Sequence, residues 1–486
     1  MGNLWVKKPL KQILAQAAES EKSLKRTLGA TNLVALGIGA IIGAGLFVRT
    51  ASASSQAAGS AVTLSFILAA IGCALAGLCY AEFAASIPIS GSAYAYAYVT
   101  LGELVAWIIG WALIMEYALG AATVSIAWSE YLNKLLGGAI PYEWSHSPLE
   151  SITVNGVVQS GIMNAPALVI LLLLTLLLIK GTEESAKVNA VIVFLKVSIV
   201  LVFIAVGWGY INPANHTPYM IPEGTKGHES FFTHGIGGIF RGAAIVFFAF
   251  IGFDAVSTTA QEAKNPAKDM PIGILGSLAV CTVLYILFAH VLTGVANWSE
   301  FETAGKEASV AYAIEKYMIG YGWLATLVTV AILAGFSSVI LVMLMGQSRV
   351  FYSMSNDGLL PKVFSELHPK FRTPFKSNWI VFAFVGLFAA FIPGSLAGDL
   401  TSFGTLLAFV IVCAGVLVMR KTDPDLPRPF RAPAASIVAP LGALVCLALI
   451  LSLDLTTQLT AFAWMGLGLV VYFIYGQKNS KLQKKE

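Results

Sequence analysis

The chain has 486 residues, of which 57% are hydrophobic and only 12% are charged. Soluble proteins average about 25% charged residues, so this composition excludes an ordinary soluble domain and predicts a protein with many membrane-spanning helices. The formal net charge of +4 is small and gives no reason to expect a nucleic-acid partner.

Residues 1–30 are polar and basic, which predicts a cytoplasmic N-terminal segment and no cleavable signal peptide. A helix needs roughly 20 apolar residues to cross a bilayer. Apolar runs of about this length predict twelve spans, near 31–54, 60–86, 100–132, 163–181, 188–209, 234–258, 272–294, 322–350, 377–393, 398–420, 434–453 and 458–476.

An even number of spans places both termini on the same side of the membrane. Most of the 30 Lys and Arg residues fall in the segments on that side, including the N-terminal region and the C-terminal tail. The positive-inside rule therefore predicts a plasma-membrane protein with both termini in the cytoplasm.

The first apolar run contains four glycines, Gly37, Gly39, Gly43 and Gly45. Each glycine weakens a helix by roughly 1 kcal/mol relative to alanine. One interpretation is a helix break, whose freed N–H and C=O groups would bind a carboxylate and a cation. The alternative is close helix packing through small residues.

A second interrupted run covers residues 244–257, where Gly252 is followed by Asp254. Two glycine-interrupted apolar segments, one near the start of each half of a chain, are typical of transporters built from inverted repeats. The second run therefore favours the helix-break interpretation of the first.

Four ionisable residues lie within predicted spans, and such residues cost at least about 2.5–3.5 kcal/mol on insertion scales. They are Lys196, Glu116, Asp254 and Glu82. Glu82 is near the end of its span, where water or a loop can reach it. The other three are candidates for a functional role.

Two interpretations of Lys196 stay open: a buried ion pair with Asp254 or Glu116, or an ammonium that donates to carbonyls of the broken first helix and takes part in proton transfer. Glu116 is either a neutral hydrogen-bonded acid or a proton-coupling group. Asp254 either braces the unwound backbone or touches a ligand. Phe248 and Met343 are either core residues or part of a ligand pocket.

The sequence predicts no cofactor and no metal. The five cysteines all lie in apolar runs, as small buried hydrophobic residues do, and the six histidines show no ligand spacing. A channel would need a continuous polar lining, and an intramembrane enzyme would need paired catalytic groups. Neither pattern is present in the sequence.

Several ordered motifs carry a resemblance to a known family. The sequence GIGAIIGAGLFV at 37–48 resembles the first-helix signature of the amino acid–polyamine–organocation superfamily. Four other stretches are similar to its cationic amino acid transporter branch. They lie at 247–257 together with 262–266, at 346–349, at 357–361 and at 88–94.

The resemblance implies an all-α membrane protein of about twelve helices with a LeuT-like fold, in which the first and sixth spans are discontinuous. It implies a first inverted repeat over 31–209 and a second over 233–420. Two peripheral spans over 434–476 and a cytoplasmic tail over 477–486 would follow.

The resemblance also implies a site. The substrate carboxylate would meet the amides of Ile42, Gly43, Ala44 and Gly45, and the α-amino group would meet carbonyls near Ile41, Phe248, Ala249 and Ile251. Phe248 would be an aromatic lid and Met343 part of the side-chain pocket. Lys196 matches a lysine that replaces a sodium ion, and Glu116 matches an acidic third-helix position. Bacterial relatives often have a hydroxyl residue in place of Ala44, which puts the affinity for the carboxylate in question.

The function that follows is proton-coupled symport of small neutral L-amino acids by alternating access, with an amino acid, a proton and the lipid bilayer as partners. An exchanger, a cationic amino acid or polyamine permease, and a membrane amino acid sensor are the alternatives. The sequence does not identify a partner subunit.

Overall fold

The computed structural model describes residues 4–9, 26–43, 45–89, 91–154, 157–303, 309–453 and 455–484. Within these ranges the regular secondary structure is helical apart from one hairpin of two short strands, β1 and β2, which pair antiparallel. The strands are β1 (Ser151–Val154) and β2 (Val157–Ser160).

The longer α-helices are labelled in chain order. They are α1 (Ala30–Ile41), α2 (Val62–Ser86), α3 (Ser92–Thr100), α4 (Glu103–Ile114), α5 (Gly120–Leu135), α6 (Ala165–Lys180), α7 (Thr182–Gly207), α8 (Gly235–Phe247), α9 (Pro266–Val295), α10 (Ser309–Tyr317), α11 (Gly322–Asn356), α12 (Phe375–Phe391), α13 (Gly394–Thr422), α14 (Ala435–Leu451) and α15 (Leu455–Val471).

Short helical pieces join or extend these helices. Four are π-helical: Gly45–Arg49, Ser54–Ala58, Met115–Leu119 and Tyr472–Gly476. Three are short α-helices: Thr50–Ala53, Glu300–Thr303 and Gln477–Asn479. The 3₁₀ pieces are Gly59–Ala61, Tyr142–Trp144, Trp208–Tyr210, Pro213–His216, Phe231–Thr233, Phe248–Phe250, Asp254–Glu262 and Lys362–Phe364.

Eight helical stretches of the described chain are long and apolar enough to cross a membrane. Four shorter apolar helices accompany them, namely α1, α6, α12 and α14. The count of twelve spans and the inverted-repeat arrangement stay predictions. The eight stretches are Gly45–Ser86, Glu103–Leu135, Ser185–Tyr210, Gly235–Glu262, Pro266–Val295, Gly322–Asn356, Leu400–Thr422 and Leu455–Asn479.

Helix α7 illustrates how the chain distributes its polar and apolar side chains. Val191 and Phe194 are 71% and 76% exposed on its outer side, as expected of side chains that face lipid. Lys196, two residues after Phe194, has no exposed surface. Here apolar side chains are exposed and a charged one is buried, so the Lys196 side chain is directed towards the centre of the molecule.

The centre of the molecule is formed around α1, whose last turn is buried from Leu36 to Ile41. Helix α1 packs against α9, α7 and α11. Because these helices surround α1, the main-chain groups at its end must find partners inside the protein. This requirement determines the candidate site.

Candidate functional site

The first apolar segment is not continuously helical. Helix α1 ends at Ile41, and Ile42 has an extended backbone with φ −75° and ψ 101°. A π-helical turn then begins at Gly45. Ala44, one of the residues expected to bind a carboxylate, lies outside the described residues.

The second interrupted segment also changes direction. Helix α8 ends at Phe247, a 3₁₀ turn covers Phe248–Phe250, and Ile251 is extended with ψ 137°. Gly252 has a φ of +109°, a conformation that side chains of L-residues rarely adopt. The chain then continues as a 3₁₀ helix over Asp254–Glu262.

The two breaks lie against each other, and glycine makes this possible. A Cβ atom on Gly45 would lie 2.1 Å from the Cα atom of Ala249. A Cβ atom on Gly252 would lie 2.8 Å from the Cβ atom of Ala40. The glycine positions therefore permit a backbone-to-backbone approach that any larger residue would obstruct.

A small cavity of about 10 Å³ lies at the breaks. Six of the predicted binding residues line it: Ile41, Gly43, Gly45, Phe248, Ile251 and Met343. Two more predicted residues are main-chain neighbours: Ala249 contacts Gly45, and Ile42 follows the end of α1. None of the residues that line the cavity is charged. The remaining lining residues are Ala40, Gly120, Val124, Val339 and Thr401.

The sequence analysis missed part of this lining. Gly120 and Val124 follow Glu116 by four and eight residues, so helical spacing from Glu116 gives a usable signal for them. Val339 precedes Met343 by four residues on α11 and has the same kind of signal. Thr401 on α13 has no comparable signal in the sequence.

Phe248 separates this cavity from a second one. It lines both the first cavity and a neighbouring space of about 100 Å³ that Arg49, Gln56 and Arg241 help to line. The Arg49 guanidinium carbon lies 5.3 Å from the centre of the Phe248 ring. This side chain therefore stands between the two spaces.

Lys196 reaches the end of the first helix. Its Nζ atom donates to the carbonyl oxygens of Gly39 and Ile42, at 2.8 and 2.7 Å. Within the described residues these two carbonyls are its hydrogen-bond partners, and neither Asp254 nor Glu116 forms an ion pair with it. Within the described residues the Lys196 ammonium therefore donates to carbonyls of the broken first helix and forms no buried ion pair with these carboxylates. A part in proton transfer stays a prediction.

Two further side chains hold the same turn of α1. Ser338 on α11 donates to the Gly39 carbonyl at 3.1 Å and also contacts Asn189 on α7. The Asn189 amide donates to the Ala35 carbonyl at 3.1 Å. The end of α1 is thus fixed by donors from α7 and α11.

Glu116 and Asp254 form a separate buried group. Both side chains have no exposed surface. The Tyr117 hydroxyl donates to the Asp254 carboxylate at 2.6 Å, and neither carboxyl oxygen of Glu116 has a hydrogen-bond partner among the described residues. Neither Glu116 nor Asp254 lines the first cavity, so any effect they have on a ligand there is indirect.

Glu82 forms structural contacts with α13 and with the loop that follows it. Arg420 donates to both of its carboxylate oxygens, at 3.0 and 2.6 Å, and the Ala432 amide donates to it at 2.8 Å. Ala432 belongs to the loop between α13 and α14, which agrees with the expectation that a loop reaches this carboxylate. The described residues contain no group of three or more His, Cys, Asp or Glu side chains that could hold a metal ion.

The chain is similar to known permeases and transporters over most of its length. A family model for amino acid permeases matches residues 28–479. The chain is 44% identical to the branched-chain amino acid permease BcaP of Bacillus subtilis (strain 168) over 485 residues, which cover 99% of this chain and 100% of that protein. It is 42% identical to the methylthioribose transporter of the same organism, with 100% of both chains covered. It is 35% identical to the vacuolar cationic amino acid transporter 4 of Arabidopsis thaliana over 406 residues, or 83% of this chain and 64% of that protein.

Proposed function

The chain belongs to the amino acid permease family of the amino acid–polyamine–organocation superfamily, and on that premise we propose that it imports small neutral L-amino acids together with protons. The cavity at the two helix breaks carries the proposal. It combines main-chain groups, which suit a zwitterion, with an uncharged side-chain lining.

The proposed binding mode divides the substrate between the two breaks. The carboxylate lies against the amides of Gly43 and Gly45, since the Ile42 amide already donates to the Ile38 carbonyl at 3.0 Å. The ammonium lies against carbonyls of Ile41 and of the Phe248 turn. The substrate side chain points towards Met343 and Gly120. A small aliphatic side chain suits this uncharged lining, whereas a cationic side chain or a polyamine would lack a carboxylate partner there.

The proposed transport cycle uses the breaks as hinges for alternating access. Residues 31–209 and 233–420 act as inverted repeats, each beginning with an interrupted segment, and Phe248 opens and closes the path to the neighbouring cavity. Both termini face the cytoplasm in this arrangement. Substrate and proton are carried from outside to inside.

Proton coupling is assigned to Lys196. Its ammonium group makes charge-assisted hydrogen bonds to Gly39 and Ile42, and these are roughly twice as strong as neutral hydrogen bonds. Loss of the proton weakens them and releases the end of α1. Glu116 and Asp254 are two further buried carboxyl groups that we assign to coupling or gating.

A second candidate substrate comes from the comparisons. One relative is named a methylthioribose transporter, and methylthioribose is an uncharged thioether sugar with neither an ammonium nor a carboxylate group. Transport of such a compound by this chain would make the zwitterion assignment wrong while leaving the transporter assignment intact.

The proposal is tested by ligand-induced thermal stabilisation of the purified protein. The panel consists of the twenty amino acids, putrescine, spermidine and methylthioribose. We expect stabilisation by small neutral L-amino acids and none by the polyamines. Stabilisation by methylthioribose alone, or by cationic compounds alone, would contradict the proposed substrate class.

Uptake into proteoliposomes separates the modes of action. Symport predicts accumulation driven by an inward pH gradient with no internal substrate. An exchanger requires internal substrate, and a sensor binds the amino acid but moves none of it.

A further inference from the structure

Tyr285, in the middle of α9, links the two helix breaks through one hydroxyl group. The hydroxyl oxygen lies 2.7 Å from the Ile41 carbonyl oxygen and 2.8 Å from the Ala249 carbonyl oxygen. The side chain is fully buried. Its ring packs against those of Phe66 and Phe250, at centroid distances of 5.4 and 5.2 Å.

The hydroxyl cannot satisfy both carbonyls fully. A tyrosine hydroxyl has one proton to donate, and both of its neighbours here are acceptors. The proton is therefore shared between Ile41 and Ala249. An ammonium group carries three donors, so a substrate amino group supplies the hydrogen bonds that a single hydroxyl lacks.

The same two contacts also fix the spacing of the acceptors. Ile41 belongs to the first break and Ala249 to the second, and both carbonyl oxygens converge on one atom that is held by the packed ring of Tyr285. Preorganised acceptors bind a donor more tightly and more selectively, because less ordering remains to be paid for on binding.

We propose that Tyr285 is a positioning residue, which sets the distance between the Ile41 and Ala249 carbonyls so that they recognise the primary ammonium group of the substrate. This inference rests on the proposed function, since it assumes that an amino acid binds at the breaks. It assigns selectivity for the amino group to a side chain that does not line the cavity.

The test compares Tyr285→Phe with a matched control, Tyr80→Phe. Phenylalanine keeps the aromatic ring and removes the hydroxyl group. Tyr80 is also fully buried among aromatic rings, and its hydroxyl has no hydrogen-bond partner among the described residues. The control therefore removes the same atom from a similar buried aromatic environment without removing a hydrogen bond at the breaks.

Binding of L-alanine and of N-methyl-L-alanine is measured by calorimetry on each protein. In the wild type we expect L-alanine to bind more tightly, since the methyl group replaces one donor. Tyr285→Phe should weaken L-alanine binding by about tenfold, the effect of losing one well-placed hydrogen bond. N-methyl-L-alanine should lose less affinity, so that the ratio of the two dissociation constants moves towards one. Tyr80→Phe should leave both constants unchanged.

If Tyr285 had a purely structural role, Tyr285→Phe would lower both affinities by the same factor, and that result would overturn the inference. Unchanged binding in Tyr285→Phe would also overturn it. So would an equal effect in Tyr80→Phe. Site-specific 3-fluorotyrosine at position 285 keeps the hydroxyl and should retain wild-type selectivity; loss of selectivity there would also overturn the inference. If the wild type does not bind L-alanine, the proposed function itself is contradicted. This outcome is distinguished from a failure of the inference because it is seen before any variant is measured.

Discussion

Replacing Lys196 by methionine removes the ammonium group and keeps a long apolar side chain. The Ile42 carbonyl then loses its donor at 2.7 Å, whereas the Gly39 carbonyl keeps Ser338 as a donor at 3.1 Å. An orphaned buried acceptor costs about 1–3 kcal/mol. The variant also removes a buried cation, whose desolvation costs several kcal/mol. The two effects oppose each other, so we expect Lys196→Met to fold and to change the free energy of unfolding by less than about 3 kcal/mol.

The effect on transport should be much larger than the effect on stability. A pH difference of one unit corresponds to about 1.4 kcal/mol per coupled proton, which supports roughly tenfold accumulation of a substrate carried with one proton. In Lys196→Met we expect accumulation to fall to the equilibrium ratio of about one. Exchange of internal for external substrate can continue, because it needs no net proton movement.

The assay is uptake of radiolabelled L-alanine into proteoliposomes with an imposed pH gradient, with counterflow of L-alanine as the exchange measurement. Lys376→Met is the matched control. Lys376 is the second residue of α12 and forms an exposed ion pair with Glu366. This variant should accumulate substrate like the wild type. Gradient-driven accumulation at the wild-type level in Lys196→Met would refute the coupling role of Lys196.

Two other substitutions test the packing of the breaks and the loop before α10. Gly45→Ala should abolish L-alanine binding and lower the thermal unfolding temperature, because its Cβ would lie 2.1 Å from the Ala249 Cα. The control is Gly466→Ala in α15, where no atom lies within 4 Å of the added Cβ. It should keep binding and stabilise the helix by up to about 1 kcal/mol. Retained binding in Gly45→Ala would contradict the close approach. Burial raises the pKa of Glu300, but hydrogen bonds led by Lys316 outweigh this effect and lower the pKa to about 2. The resulting stabilisation is present above the unfolded-state pKa near 4.3 and is lost as the pH falls towards 2. Glu300→Gln should therefore lower the free energy of unfolding by about 1 kcal/mol at pH 7 and remove this acid dependence. Thermal unfolding between pH 3 and 7 measures both effects. A pH profile like that of the wild type would contradict the stabilising role of the Glu300 carboxylate.

The sequence was informative where a residue type conflicts with its surroundings. Four glycines in an apolar run predict a weak point, and α1 ends at Ile41 inside that run. A lysine deep in a span predicts a polar contact, and Lys196 makes two. In both cases the residue is costly in a simple membrane helix, so its presence points to a local structural requirement.

Contacts between segments that lie far apart along the chain were harder to predict from the sequence. Tyr285 is an ordinary aromatic residue in an apolar helix, and nothing in its neighbours indicates where its hydroxyl points. Its two acceptors lie 244 and 36 residues away along the chain. Thr401 joins the cavity lining for a similar reason, since only the packing of α13 brings it there. Helical periodicity predicts which side of a helix is buried, but it does not predict which partner that side meets.

The proposed cycle makes proton coupling and substrate binding depend on the same few hydrogen bonds at the two breaks. A carbonyl freed inside a bilayer must be satisfied by the protein, because lipid offers no donor. Here the Ile42 carbonyl is satisfied by Lys196, a group that a proton can alter, and the Ile41 and Ala249 carbonyls by Tyr285, whose single proton is shared. A donor with fixed charge and full capacity would lock the breaks in one arrangement. In the proposed cycle the donors present leave the breaks responsive, so that a proton would act on the first break at Ile42 and a substrate ammonium would act on both breaks through Ile41 and Ala249.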